Sequence, residues 1–391
     1  MPAHKLYFNS IHDHSTQNTL VMIETAKAQK TAMKEDSSVR SQMMQFNHEE
    51  VLFCNDNETG LKAIIAIHNT VLGPGLGGCR IWKYEQEQDA LNDVLRLSRG
   101  MTYKASVAGL NLGGAKAVII GDSRQIKNEA LMRRFGRFVD DLGGKYITAE
   151  DVGSNSRDME YIHMETRHVT GIPASMGGSG DPSPVTAYGV WLGMKAAAKE
   201  RWGNDSLNGK KVTVQGTGNV GENLIKHLVD EGAKVYITDI NKDKLKEVAD
   251  KLKVEVVDSE KIFDLDVDIY APCALGATLN TENINRLKCS VIAGAANNQL
   301  ADEKVHGEML MKKGILYAPD FVINAGGLIN VYSEFLGNYS RERAITQADK
   351  IFNITAEIFH VSAKENIPTY LAANRLAEAR IETIGKVKLN H

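Results

Sequence analysis

The sequence predicts an α/β protein in two parts, an N-terminal open α/β domain followed by a doubly wound parallel sheet, with a cleft between them. Three observations carry this. From residue 211 onward, apolar runs of strand length alternate with amphipathic segments of helix length, and strands separated by helices must pair in parallel through right-handed crossovers. The stretch Gly177-Gly178-Ser179-Gly180-Asp181-Pro182-Ser183-Pro184 is the sharpest break in composition, and its prolines suit neither a helix interior nor a central strand. The chain has 391 residues, more than one domain usually holds.

The elements follow in order. Residues 1–44 are polar, show no sustained period and are expected to form a mobile extension. His4, His12 and His14 within it read as solvated side chains, and no metal site is expected. Residues 51–54 and 61–68 read as a hairpin around an Asn-Asp-Asn-Glu-Thr-Gly turn. Ala90, Leu91, Val94, Leu95 and Leu97 form a helical stripe over 87–100, with Gly100 as its expected end. A strand over 116–120 and a helix over 128–142 complete the first domain, which ends near residue 180. Ser183 is expected to cap a helix over 185–202, with Pro184 in its first turn. The second domain, 181–354, is expected to hold strands over 211–215, 234–239 and 254–257 and near 268–271, 291–293 and 315–318, with helices over 219–230 and 242–252. Helical segments over 341–364 and 370–386 are expected to return to the first domain.

Composition excludes several trades. With 46 basic and 49 acidic side chains the net charge is −3, too little for a field that gathers nucleic acid or an anionic membrane. The longest apolar runs fall far short of the roughly 20 residues a bilayer requires. The 4 cysteines show no CxxC spacing and read as free thiols, and no signal-peptide pattern is present, so a cytoplasmic location is expected.

Gly216-Thr217-Gly218-Asn219-Val220-Gly221 follows the apolar strand Val212-Thr213-Val214 and opens a helix. In that setting Gly216 permits a tight turn, Gly218 lets a pyrophosphate approach the backbone, and Gly221 lets helix and strand pack closely. Asp239 lies about 20 residues further on, at the end of the next strand, where a carboxylate receives the ribose hydroxyls and repels a 2′-phosphate. The second domain is therefore expected to be a Rossmann-type domain that binds NAD rather than NADP. In the first domain, Lys104 follows Gly100-Met101-Thr102-Tyr103, and Lys116 closes a glycine-dense loop at the mouth of a strand. Two lysines brought together depress each other's pKa, leaving one as a usable base and the other as a cation for a carboxylate. Spacing does not decide which is which.

Eight ordered blocks carry a resemblance. They are Gly73-Pro74-Gly75-Leu76-Gly77-Gly78-Cys79-Arg80, Gly100-Met101-Thr102-Tyr103-Lys104, residues 109–116, Glu150-Asp151-Val152-Gly153, Pro182-Ser183-Pro184-Val185-Thr186, Ala271-Pro272-Cys273-Ala274-Leu275-Gly276, Ala295-Ala296-Asn297-Asn298-Gln299-Leu300 and Asn324-Ala325-Gly326-Gly327. From about residue 48 to 384 the chain resembles the Glu/Leu/Phe/Val superfamily of amino-acid dehydrogenases, its leucine-type members most closely. The resemblance implies reversible NAD-dependent oxidative deamination of an L-amino acid to a 2-oxo acid and ammonia. It implies that Lys104 binds the substrate carboxylate, that Lys116 is the lysine of lowered pKa that activates water, and that Asp151 exchanges protons with the substrate nitrogen. Thr186 and Asn298 would flank the nicotinamide, with Asn297 as the alternative to Asn298. The substrate would lie on Leu76, Gly77, Gly78, Ala149, Leu328 and Val331. Glutamate-type members carry a lysine where this chain has Leu76, so an aliphatic substrate is implied. Leu328 replaces the valine of leucine-type members, which keeps valine, isoleucine and aromatic substrates such as phenylalanine or tryptophan open beside leucine, and Gly75 and Cys79 replace their Ala and Thr beside Leu76, which bears on pocket detail rather than chemistry. An inactive dinucleotide-binding protein is the further alternative, opposed by the presence of Lys104, Lys116 and Asp151. A homo-oligomer, an octamer in the leucine-type pattern, is also implied.

Overall fold

The computed structural model describes residues 38–388, so His4, His12, His14 and most of the expected extension lie outside the described residues. The first described element is helix α1, Val39–Phe46.

The first lobe runs β1 (Glu50–Asp56), β2 (Leu61–Asn69), β3 (Gly75–Trp82), α2 (Glu87–Val107), β4 (Gly113–Ile120), α3 (Ser123–Ile126), α4 (Glu129–Asp141), β5 (Tyr146–Glu150) and α5 (Ser156–His163). Its five strands lie in the order β1-β2-β4-β3-β5. The β1–β2 and β2–β4 pairs are antiparallel, and β3 pairs in parallel with both β4 and β5. Period-2 alternation then sorts the side chains. Leu61, Ala63, Ile65, Cys79, Ile81, Ala115, Ala117 and Ile119 turn to the core shared with Met132, Phe135 and Val139 of α4 and with Met159 and Ile162 of α5. The opposite face carries His68, Leu76, Gly78, Arg80, Gly114, Lys116 and Ala149, and α2 packs over part of it on β2 and β4.

Three expectations need correction here. Helix α2 runs through Gly100 to Val107. A helical glycine costs only about 1 kcal/mol against alanine, and the buried stripe resumes at Thr102, Ala105, Ser106 and Val107. Lys104 therefore stands on a helix, one turn from its end. Lys116 lies inside β4 rather than at its mouth. Strands β3 and β5 are not expected from the sequence: glycine-rich Gly75-Leu76-Gly77-Gly78 lacks the branched side chains that mark strands and is held by its two neighbours instead, whereas β5 carries Tyr146, Ile147 and Thr148 but is only five residues long.

The second lobe opens with α6 (Ser183–Trp202), whose N-cap position is Pro182. Ser183 is thus inside the first turn and caps nothing, while the Asp181 carboxylate accepts its N–H at 2.9 Å. Then follow β6 (Lys211–Gln215), α7 (Asn219–Asp230), β7 (Lys234–Thr238), α8 (Lys242–Leu252), β8 (Glu255–Val256), β9 (Ile269–Pro272), α9 (Thr281–Arg286), β10 (Val291–Ile292), α10 (Glu303–Lys312), β11 (Leu316–Tyr317), α11 (Asp320–Ile323), α12 (Gly326–Phe335), α13 (Arg341–Ala348), α14 (Lys350–Glu365) and α15 (Thr369–Lys388). The six strands are all parallel, in the order β11-β10-β9-β6-β7-β8. Strand order reverses between β6 and β9, the point where doubly wound sheets open a crevice for ligands. Helix α15 packs back on α2. Among the described residues no helix is long and apolar enough to cross a membrane.

Candidate active site

A cleft of about 670 Å³ is lined from both lobes. Leu76, Gly78, Arg80, Lys104, Lys116, Ala149 and Asp151 come from the first lobe, and Asn297, Asn298, Asp320, Leu328 and Val331 from the second. Alternation on β3 puts Leu76, Gly78 and Arg80 on one face, and Ala149 and Asp151 share the neighbouring face at the end of β5. Gly78 is the gap in this row: a Cβ there would stand 2.3 Å from the Glu150 carbonyl oxygen and 2.9 Å from Asp151 Cβ. Only a residue without a side chain lets Asp151 lie so close to β3.

The charges form a chain. Lys116, only 5% exposed, sets Nζ 3.1 Å from Asp151 Oδ1. Arg80 Nε donates to Asp151 Oδ2 at 2.9 Å, and its Nη1 donates to Asp93 Oδ2 at 2.8 Å. Burial pushes the Asp151 carboxyl up, but the adjoining Lys116 and Arg80 cations outweigh it and hold the group below the usual carboxylate range. Lys104 donates from Nζ to Asn324 Oδ1 at 2.6 Å. Burial drives its pKa down to about 8, with the Lys116 cation acting in the same direction and the carboxylates of Asp320 and Asp151 acting against it. Lys104 thus bonds to a neutral amide, whereas Lys116 has an anion at contact distance.

Asn324 is itself fixed, donating through Nδ2 to Asn297 Oδ1 at 2.7 Å and to the Ala295 carbonyl at 3.1 Å. Asp320 is buried beside it and accepts the Gln299 N–H at 2.7 Å, and burial raises its pKa. Asn298 adopts a left-handed backbone, φ 52°, which asparagine tolerates. Thr186 lies in the first turn of α6, donating to the Pro182 carbonyl at 3.0 Å, and does not line the cleft. Gly77 faces the other way, and its carbonyl accepts the Tyr146 hydroxyl at 2.8 Å. Sequence reasoning passed over Arg80, Asp93, Asp320 and Asn324 as site residues. Arg80 and Asn324 were visible in the quoted blocks, but nothing local marks them as contacts of Asp151 and Lys104.

The glycine turn stands apart, between β6 and α7. Gly216 has φ 110°, closed to most side chains, and its N–H donates to the Thr238 carbonyl at 2.8 Å. A Cβ on Gly221 would meet the Gly216 carbonyl oxygen at 2.1 Å, while one on Gly218 would meet nothing within 4 Å. Asn219 and Val220 form the first turn of α7, so free helix N–H groups border the open space at Gly218. Asp239 Oδ2 accepts Thr217 N–H at 2.6 Å and Oδ1 accepts Asn241 N–H at 2.8 Å. Burial raises this carboxyl, but these amides more than compensate and hold it below the usual range. An open glycine cradle and an oriented anion at the end of β7 fit a dinucleotide's pyrophosphate and ribose. Among the described residues no group of three or more His, Cys, Asp or Glu side chains is arranged for a metal ion.

Comparison with known proteins gives the family. Residues 48–168 match the Glu/Leu/Phe/Val dehydrogenase dimerisation domain, and 177–241 with 236–388 match the glutamate/leucine/phenylalanine/valine dehydrogenase domain. Leucine dehydrogenase of Thermoactinomyces intermedius is 56% identical over 346 residues, covering 88% of this chain and 94% of the relative. Phenylalanine dehydrogenase of Bacillus thermotolerans is 45% identical, covering 91% and 94%. The crystal structure of L-tryptophan dehydrogenase from Nostoc punctiforme, 47% identical, superposes with a TM-score of 0.79 over 89% of this chain and 99% of its own. The chain belongs to the Glu/Leu/Phe/Val family of amino-acid dehydrogenases.

Proposed function

We propose that the protein catalyses the reversible, NAD-dependent oxidative deamination of a branched aliphatic L-amino acid, leucine foremost with valine and isoleucine, to its 2-oxo acid and ammonia. As a member of this family it works with a nicotinamide dinucleotide. The observation that carries the reading is the meeting of Lys104, Lys116 and Asp151 in one cleft beside the apolar side chains of Leu76, Ala149, Leu328 and Val331.

Lys104 holds the substrate carboxylate as a cation, with Asn324 keeping Nζ in place. Asp151 takes a proton from the substrate ammonium, so that Cα can release hydride. The bound nicotinamide supplies the hydride acceptor. Lys116 gives its proton to solvent and, as a neutral amine, takes a proton from the water that adds to the imine carbon. Asp151 returns its proton to the carbinolamine nitrogen, the C–N bond breaks, and the departing ammonia takes the hydroxyl proton as the carbonyl forms. Leu76, 2% exposed, offers nothing to a γ-carboxylate, and burying one unpaired would cost several kcal/mol, which disfavours glutamate. The anionic Asp239 supports NAD over NADP, because a 2′-phosphate would meet like charge.

The test is NADH formation from L-leucine, L-valine, L-isoleucine, L-phenylalanine, L-tryptophan and L-glutamate, with NADP as the control. The highest kcat/KM is expected on leucine with NAD. A maximum on an aromatic amino acid would replace the substrate, and no turnover on any would remove the catalytic reading. A homo-oligomer, with eight copies the leucine-type expectation, is supported by the edge of β1, which is unpaired among the described residues and where Phe53 is 45% exposed. Light scattering measures that number, and cell fractionation tests residence in the cytoplasm.

A further inference from the structure

The chain of charges behind Asp151 extends past the groups used so far. Arg80 bridges two carboxylates with one guanidinium, Asp151 through Nε and Asp93 through Nη1. Asp93 stands on α2, the helix that also carries Lys104, and is itself held by the Tyr84 hydroxyl at 2.7 Å and by Arg96 at 2.9 Å. The two oxygens of Asp151 are therefore divided, Oδ2 to Arg80 and Oδ1 to Lys116. A carboxylate free to rotate about its last bond would present either oxygen to a reacting nitrogen. Here Arg80 and Asp151 are only 20% and 21% exposed, so water does little to compete with the pairing.

We propose that Arg80 is a positioning residue: by holding Oδ2 of Asp151, with Asp93 anchoring the far side of the guanidinium, it fixes the carboxylate so that Oδ1 faces Lys116 and the substrate nitrogen. The proposal rests on the reading that Asp151 exchanges protons with that nitrogen. The charged groups that face Asp151 are Arg80 from β3, Lys116 from β4 and Lys104 from α2, while the Cys79 thiol and the Tyr146 hydroxyl lie on the core side of the sheet. Arg80 and Lys116 are the two of these that bond to it directly. Loss of Arg80 removes one of two cations that keep the carboxylate ionised, so a higher pH is needed before it accepts a proton from substrate. Lysine at this position offers one nitrogen where the guanidinium offers two, so it serves one carboxylate at a time.

The test uses the full chain with Arg80→Gln, Arg80→Lys, Asp93→Asn and Asp151→Asn, assayed for kcat and KM on L-leucine across the pH range. Arg80→Gln is expected to lower kcat about 100-fold with KM little changed, and to move the acidic limb of kcat/KM up by about 1 pH unit. Arg80→Lys recovers part of both effects, and Asp93→Asn shifts the same limb by less. If Arg80→Gln does not fold, the other two Arg80-network variants give the same readout. An unmoved acidic limb in the folded variants, or a loss confined to KM, overturns the proposal. Asp151→Asn separates the two ideas. An inactive Asp151→Asn with unshifted Arg80 variants removes the role of Arg80 alone, whereas an active Asp151→Asn removes the Asp151 reading beneath it.

Discussion

The two lobes build their binding sites from different materials. The first supplies ionised side chains in near-dry surroundings, with Lys116, Asp151, Arg80 and Asp93 linked in series. The second supplies main-chain groups and space, with the glycine turn at 216–221 and the Asp239 carboxylate held by the Thr217 and Asn241 amides. Bond-making chemistry needs charge that can be moved, and buried charge is tolerable only beside partners. Binding a dinucleotide needs donors that never change state, which a backbone provides without burying a charge. The first lobe should therefore respond to pH and to loss of single side chains, and the second to added atoms.

The largest expected effect is that of Lys116→Ala, which should lower kcat about 10³- to 10⁴-fold while dinucleotide binding, followed by fluorescence, stays as in the parent. Residual turnover within tenfold of the parent would mean that the base lies elsewhere. A pair of glycine substitutions sharpens the contrast. Gly78→Ala puts a Cβ 2.3 Å from the Glu150 carbonyl oxygen, and should cost about 1–3 kcal/mol of stability in urea unfolding and displace Asp151, so that kcat falls while cofactor affinity holds. Gly221→Ala puts one 2.1 Å from the Gly216 carbonyl, and should do the reverse, weakening cofactor binding first. Identical phenotypes for the two would erase the division of labour.

Acid should unfold the first lobe before the second. His48 and His68 are buried with ring centroids 4.8 Å apart, and burial lowers both pKa values, that of His68 to about 4. His68 bonds to Thr102 Oγ1 at 2.8 Å, beneath the helix that carries Lys104. Both rings stay neutral in the fold but take a proton when unfolded. The contribution of His68 is complete above about pH 6.5 and is lost as pH falls from there through about 4, on the order of 2 kcal/mol, and His48 acts in the same direction. Denaturant titrations at both ends of that window, with His68→Gln as control, measure it, and equal stability at both ends of the window would refute it. The smallest effect concerns Lys104. As pH rises through about 8 its cation is lost, so the inhibition constant of a branched aliphatic carboxylate should rise about tenfold per pH unit above that point. A flat profile would move carboxylate binding to another group.

Much of the second lobe is legible because its signals are local. Strand β6, the glycine turn, α7 and α8 stand at the expected residues, and the cradle is contiguous with the helix it opens. The first lobe is less so. Strand β3 carries too many glycines to announce itself, and α2 passes through a glycine that ordinarily suggests a stop. Lys104 and Lys116 could be singled out as a pair, but their different surroundings could not, since Asn324 and Asp320 reach Lys104 from more than 200 residues away in the chain.

By itself, then, the sequence determined the alternation of strands and helices, the nucleotide turn with its acidic partner and, through eight ordered blocks, the family. These depend on periodicity and on hydrogen bonds between near neighbours, which the chain carries wherever it goes. Only the tertiary structure decided which lysine pairs with Asp151 and which with Asn324, which oxygen of Asp151 meets Arg80 and which side chains wall the cleft. Those outcomes come from the strand order β1-β2-β4-β3-β5 and from α11 and α12 closing on the first lobe. Electrostatic energy depends on distance and burial in space, neither of which is a function of separation along the chain.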